Sequence, residues 1–438
     1  MSDVHAQTVP FVRKSMLPEA EPPARQRGVP LWLRENLFSG WFNTILTILG
    51  AAAAIWLVAS ILPWMLRGVW NADSLRECRD IVIERYGEGV TGACWAMIRE
   101  RWPQYIFGMY PQDIFWRPTL AFVLLLVAIA PVLYLSLPRK LLIFSALYPA
   151  LAYWLLWGGT IWLPVMVLVG FALGWGALRL VLPRFGAIVA TAVAVLVPVL
   201  WWGLLAGDAA QDLQGLVPLA LRPVGSAAFG GFLLSFVLGV TGVSLSLPLG
   251  LLLSLGRRSD LPLIHYLCVG FIEFIRGVPL ITLLFTASLL LNYFLPPNSD
   301  FDIILRVIIM VTLFAAAYIA EVIRGALAAL PRGQYEAADA LGLDYWKAQR
   351  LIILPQALKI SIPGIVSTFI GLFKDTTLVV FIGLRDPLKG VTDMIRQTTA
   401  WKGIYWEPYI FVGALFFVIC FSMSRYAMYL ERKLERGH

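Results

Sequence analysis

Charge is scarce in this chain: Asp, Glu, Lys and Arg make up 14% of 438 residues, against about 25% in an ordinary soluble protein. With 59% hydrophobic residues and a mean hydropathy of +0.76, that scarcity excludes a soluble globular fold. Histidine is scarcer still, and His5, His265 and His438 are too scattered for a metal site or a catalytic triad. Neither a G-x-x-x-x-G-K-[ST] phosphate loop nor an H-E-x-x-H zinc motif occurs, so no catalytic role, no metal and no ATP bound through that loop are expected. No repeat of roughly 20 to 50 residues is evident, which excludes solenoids.

What is present is long apolar runs. A spanning helix needs about 20 such residues, and runs of that kind lie near 43–66, 119–137, 141–158, 161–182, 186–206, 228–255, 262–294, 302–326, 360–383 and 408–429. The expected fold is therefore all-α and polytopic, with about ten transmembrane helices in contact with lipid. The close pair 141–158 and 161–182 also fits a re-entrant hairpin. The first run is too long for a signal-peptide core, and its small residues Ala51–Ala54 sit mid-run, so it reads as an uncleaved span. Before it, residues 1–41 are broken by Pro10, Pro18, Pro22, Pro23 and Pro30 and read as a polar tail.

The net charge of +8 reports the Lys and Arg of cytoplasmic loops rather than a nucleic-acid partner. An orientation with both termini inside puts Arg139 and Lys140, Arg179 and Arg184, Arg257 and Arg258, the loop from Arg324 to Lys359, and Arg425 to Arg436 on the cytoplasmic side. Two external segments run against the rule. The loop 67–117 carries seven basic and seven acidic residues and reads as a small translocated domain; 384–407, with Arg385, Lys389, Arg396 and Lys402, has no such explanation. Cys78 and Cys94 both fall in the first of these segments. A disulfide between them would need an oxidising compartment and would stabilise by roughly 3 kcal/mol; two unrelated thiols are the alternative. Trp41, Trp64, Trp116, Trp162, Trp201, Trp202, Trp401 and Trp406 mostly fall at span ends, as interfacial anchors do.

The chain divides near residue 225. Residues 42–225 hold five spans almost without internal charge, whereas 226–438 places charges and helix breakers at membrane depth. Between two of its spans lies YEAADALGLDYWKAQRLIILPQA, Tyr335 to Ala357. Its physics is local: good helix formers up to Leu341, Gly342 to end the helix in a left-handed conformation, Asp344 to cap the next and Pro355 to stop it. Small alanines would let such a helix sink into a partner's groove, with Glu336 offering a charge to a basic residue there.

Glu336, Ala337, Ala338, Gly342, Ile352, Leu354 and Pro355 reproduce at fixed spacing the EAA signature of the membrane subunits of ATP-binding-cassette (ABC) importers, which this chain resembles. FIEFIRGVPL from Phe271, YIAEVIRG from Tyr318, RGQYE from Arg332 and FKDTTL from Phe373 are similar to the polar amino-acid branch, the histidine, glutamine and general amino-acid permeases. The long N-terminal half with its Cys-containing loop is similar to the general L-amino-acid and glutamate/glutamine/aspartate/asparagine permeases. The resemblance implies a C-terminal five-helix permease core with a coupling loop at about 330–357. It further implies ATP on a separate ATPase dimer, a second homologous permease in a heterodimer, and a periplasmic amino-acid-binding protein. The expected location is a bacterial inner membrane.

Charges at membrane depth are functional candidates. Glu273 and Arg276 share a helix face three residues apart, just before the Gly277 and Pro279 break, and Lys374, Asp375, Thr376 and Thr377 interrupt the ninth span. An amino acid carries a carboxylate for Arg276 and an ammonium for Asp375 or Glu273; structural ion pairs, Glu273 with Arg276 and Lys374 with Asp375, are the other reading. Glu321 and Arg324 are expected to anchor the loop. A gradient-driven secondary transporter or channel is the alternative function, although broken helices in both halves would then be expected.

Overall fold

Apolar surroundings force a backbone to bond with itself, as helix or as closed barrel, and this chain takes the first course. The computed structural model describes residues 28–134, 136–290 and 301–435. Residues 1–27 of the tail expected at 1–41, most of the 295–301 turn, Arg436 and His438 lie outside the described residues.

The chain forms two compact units, one of residues up to 69 with 79–93, the other of 70–78 with 94–438. The first holds α1 (Gly28–Asn36) and α2 (Trp41–Leu66), a 26-residue apolar helix that buries no side chain within the chain. Thr44 Oγ1 and Thr47 Oγ1 donate to the Gly40 and Leu37 carbonyls at its start. Beyond its end, the Ala93 N–H returns to the Trp64 carbonyl at 3.0 Å. Helix α3 (Leu75–Tyr86) belongs partly to each unit.

The second unit runs through α4 (Ala96–Phe107), α5 (Trp116–Leu133), α6 (Leu141–Trp157), β1 (Gly159–Thr160), α7 (Trp162–Leu200), α8 (Ala206–Leu216) and β2 (Ala220–Leu221). It continues with α9 (Gly231–Gly256), α10 (Pro262–Gly277), α11 (Leu280–Phe285), α12 (Ile303–Ala329), α13 (Arg332–Ala340), α14 (Tyr345–Ala348), α15 (Leu354–Asp375), α16 (Gly390–Arg396) and α17 (Trp406–Glu435). The antiparallel pair β1 and β2, Gly159 opposite Leu221, is the one sheet among the described residues.

Seven described helices are long and apolar enough to cross a membrane, and α10 with the α11 segment, bent by 103°, makes an eighth. One of the seven, 162–216, is two arms. Gly186 takes φ +77° and turns the chain back, so that Trp201 Nε1 and Trp202 Nε1 donate to the Met166 and Val167 carbonyls at 2.8 and 3.1 Å. Counting both arms and the 17-residue α6 accounts for the ten apolar runs of the sequence.

The core sits between α9 and α12, where small residues let the backbones approach closely. Ala316, Ala317 and Ala320 are fully buried, and a Cβ on Gly250 would lie 2.8 Å from Ile319. The same apolar cluster takes in Tyr110, Ala121, Leu155, Leu156 and Val224 from before residue 225, beside Phe229, Leu234, Leu284 and Val307 from after it.

Three sequence expectations change. Trp401 is no interfacial anchor: it is fully buried and donates Nε1 to Glu100 Oε2 at 3.1 Å. Arg117 is no loop charge. Its guanidinium is buried, with Nε donating to the Leu155 carbonyl at 2.6 Å and Nη1 to the Arg222 carbonyl at 2.8 Å, while Tyr110 OH takes the Leu156 carbonyl. These donors close the negative C-terminal end of α6. Three of the four basic residues of 384–407 have partners within the fold. Lys389 pairs with Asp393 at 2.7 Å, a contact that raises the Lys389 pKa; Arg396 approaches Asp393 at 3.6 Å and covers the Tyr405 ring, and Arg385 donates to the Ala227 carbonyl.

Arg117→Met keeps the side-chain bulk but removes the donors to two buried carbonyls. It is expected to cost about 2 kcal/mol, read as a lower thermal-unfolding midpoint of the detergent-solubilised chain, with Arg117→Lys recovering part of the loss.

Candidate functional site

The site begins with a loop that folds by local rules. Helix α13 ends in a Schellman motif: the Leu343 N–H bonds the Ala338 carbonyl and the Gly342 N–H the Asp339 carbonyl, with Gly342 at φ +67°. Asp344 then accepts the Lys347 N–H at 3.0 Å and pairs with its ammonium at 2.8 Å, capping α14. Both contacts hold the Asp344 carboxyl below its usual pKa.

Pro355 does not stop the second helix. The chain stays helical through a widened turn at Gln349–Ile353, and Pro355 stands in the first turn of α15. The widened turn directly before it is how a continuing helix accommodates a proline.

Of the signature residues, Ala338 is buried, and Ile352 and Leu354 pack with Tyr335 against Ile319, Ile323 and Leu327. Glu336, Ala337 and Gly342 face outward, as do Leu341, Tyr345, Trp346 and Leu351. The loop thus offers an apolar surface beside a carboxylate. Its root is fastened by Arg258, whose Nη1 donates to Tyr335 OH at 3.0 Å while the guanidinium covers the ring, and by Gln356, which donates to Gln334.

Next to that root lies a network of five charges. Arg257 Nη1 donates to Glu273 at 2.9 Å and to Glu321 at 3.2 Å; Arg276 lies 3.7 Å from Glu321 and 4.0 Å from Glu273; Arg324 chelates Glu321 Oε1 through Nε and Nη2. Arg276 also covers the Tyr318 ring. The structure therefore ties Glu273 and Arg276 to the ends of α9 and α12 rather than to each other alone. The net charge is positive, three guanidinium groups against two carboxylates.

The second candidate group is built differently. Thr376 and Thr377 hydroxyls donate to the Phe373 and Lys374 carbonyls at 2.7 and 2.9 Å, closing the end of α15. Lys374 is exposed and Asp375 half-buried, and neither forms an ion pair among the described residues. No hydrogen bond or ion pair among those residues joins this group to Glu273 or Arg276. Cys78 and Cys94 are linked by a disulfide with Cα atoms 5.8 Å apart, and no cluster that could hold a metal occurs among the described residues.

The family profile described as "Binding-protein-dependent transport system inner membrane component" matches residues 246–436, which span the loop and the network. Over 98% of its length the chain is 62% identical to the glutamate/glutamine/aspartate/asparagine transport system permease protein BztC of Rhodobacter capsulatus, covering 99% of that protein. The chain belongs to the amino-acid ABC transporter permeases. A second relative, the inner membrane amino-acid ABC transporter permease protein YhdY of Escherichia coli, is 38% identical over 93% of each chain. A chain in the crystal structure of an amino acid ABC transporter with histidines overlaps 45% of the permease and 90% of its own length, at 31% identity and a TM-score of 0.41.

In the permease, Arg257 and Arg258, read from the sequence only as loop charges, and Tyr335, read only as part of the signature stretch, are the residues that fasten the network and the loop. Glu321 is the shared acceptor of three guanidinium groups, whereas Glu273 is half exposed. Glu321→Gln is accordingly expected to lower the thermal midpoint clearly, and Glu273→Gln to cost no more than about 1 kcal/mol, both measured on the purified permease.

Proposed function

We propose that this permease forms part of the translocation path of an ABC importer for L-amino acids, and that it draws its energy from ATP hydrolysed on a separate ATPase dimer. The observation that carries this reading is the loop: a Schellman-terminated helix, an outward carboxylate and an apolar surface, at the root of which Arg258 holds Tyr335. The chain supplies no nucleotide site of its own; its loop residues Glu336, Ala337, Ala338 and Gly342 meet the ATPase, while Ile352, Leu354 and Pro355 set the angle of the helix behind them.

The remaining partners follow from the same reading. A second, homologous permease completes the path as a heterodimer, and a periplasmic binding protein delivers the cargo. Full-length similarity to a permease named for glutamate, glutamine, aspartate and asparagine supports acidic and amide amino acids as that cargo. The location is the inner membrane of a bacterium, with both termini and the coupling loop cytoplasmic and the disulfide-bearing segment on the oxidising side. Residues 226–438 carry the translocation core and 42–225 extend it.

For the cargo path, the unpaired Lys374 and Asp375 are better placed than Glu273 and Arg276, which the network already occupies. An exposed ammonium and a half-buried carboxylate match the two charges of an amino acid.

Purification from native membranes under mild detergent tests the partnership: an ATPase and a related permease are expected to come with the wild type. Gly342→Asp should leave insertion intact, since nothing lies within 4 Å of a Cβ there, but abolish ATPase recovery because the turn is strained and charged. Wild-type chain that comes alone, and moves amino acids in vesicles without ATP, would overturn the reading. Lys374→Gln and Asp375→Asn are each expected to cut uptake at least tenfold while the ATPase still copurifies, measured as radiolabelled glutamate import.

A further inference from the structure

The segment 384–407, between α15 and α17, is a folded object in its own right. Asp386 is fully buried and accepts the N–H groups of Leu388, Lys389 and Gly390 at 2.8, 3.1 and 2.7 Å, which starts α16; Trp401 is fully buried. A seven-residue 3-10 helix, Thr376–Ile382, ending at the left-handed Gly383, leads from the 374–377 group into this segment.

What holds the segment comes from far away in sequence. The Leu75 N–H donates to the Ala400 carbonyl at 2.9 Å, and Glu100 accepts from the Trp401 indole. The Cys94 N–H donates to Glu407 Oε1 at 2.8 Å, and Tyr105 OH lies 3.4 Å from Thr392 Oγ1, its ring edge-on to Phe411 at 5.6 Å. Glu407 is only 5% exposed and accepts the Cys94 amide. A buried carboxylate without that donor is costly. The Cys78–Cys94 disulfide joins the piece that carries Leu75 to the piece that carries Glu100 and Tyr105, so the contacts act as one body.

We infer that residues 70–78 and 94–110 form a disulfide-stapled brace whose task is to fix the 384–407 loop, with Glu407, Glu100 and Trp401 as positioning residues for the cargo group at the end of α15. The inference rests on the importer reading for its consequence, but not for its geometry. With the brace in place, the end of α15 keeps one orientation while the coupling loop moves. Without it, the 384–407 loop opens independently and ATP turns over without cargo.

The test uses the complete transporter in proteoliposomes with its binding protein, and compares Glu407→Ala, Glu407→Gln and the double variant Cys78→Ser with Cys94→Ser. Hydrogen exchange in peptides from 384–407 is expected to quicken about tenfold in Glu407→Ala, as follows from losing a buried charge-assisted hydrogen bond, and to quicken in the double Cys variant as well. Exchange in the 332–354 coupling loop should stay unchanged. ATP hydrolysed per amino acid imported should rise several-fold in both variants, and Glu407→Gln, which keeps an acceptor for the Cys94 amide, should restore most of the coupling.

Unchanged exchange in 384–407 would overturn the brace outright. Faster exchange throughout the bundle with an unchanged coupling ratio would also overturn it, since the contacts would then be ordinary stability contacts. Failure of the importer reading is distinguishable: the wild type would show no ATP-dependent uptake, while the exchange comparison would still decide whether the brace holds the loop.

Discussion

A backbone in apolar surroundings has no water to accept its hydrogen bonds, so each departure from helix must meet a protein donor or acceptor. This permease departs from helix at definite places, and polar side chains stand at several of them. Arg117 and Tyr110 cover the end of α6, and the indoles of Trp201 and Trp202 tie the arm after Gly186 to the arm before it. Asp386 gathers three amides where the chain turns into α16. Side chains that composition alone would assign to surfaces are therefore internal ties.

The same constraint sorts the charges by function. Where guanidinium and carboxylate groups can satisfy one another they do, as in the network of Arg257, Glu273, Arg276, Glu321 and Arg324. That network joins the ends of α9 and α12 to α10 just before its 103° break, beside the root of the coupling loop. Lys374 and Asp375 stand apart from this pairing. The adjoining Thr376 and Thr377 hydroxyls are turned to the Phe373 and Lys374 carbonyls.

How much of this was legible follows from distance along the chain. The spans could be read because apolar runs are local, and the loop could be read because a left-handed Gly342 and a capping Asp344 act within a few residues of themselves. Pro355 does not end the helix because the widened turn at Gln349–Ile353 directly before it accommodates the missing N–H. Trp401 misled because indoles gather at membrane surfaces on average, and nothing near it in sequence announces a partner 301 residues away in Glu100. The pairing of Glu407 with the Cys94 amide, 313 residues apart, was likewise beyond any local rule. Glu273 and Arg276 lay between these cases: their shared face was visible, but the Arg257 that claims Glu273 comes from another helix.

The apolar cluster adds a physical reason for the long N-terminal half. The profile of the permease family begins at residue 246, yet Phe229 and Leu234 are covered in part by Tyr110, Ala121, Leu155 and Val224. Gly230 and Gly231 admit the backbone of the preceding half so closely that a Cβ on Gly231 would lie within bonding reach of the Tyr105 carbonyl. A helix that accepts a neighbouring backbone at that distance has no lipid-facing alternative of equal packing, because acyl chains cannot supply the carbonyl-to-glycine fit. The start of α9 is thus shaped for the extension and not for lipid. Burial at 229–234 makes the extension part of the same apolar core as α9 rather than an appendage to it.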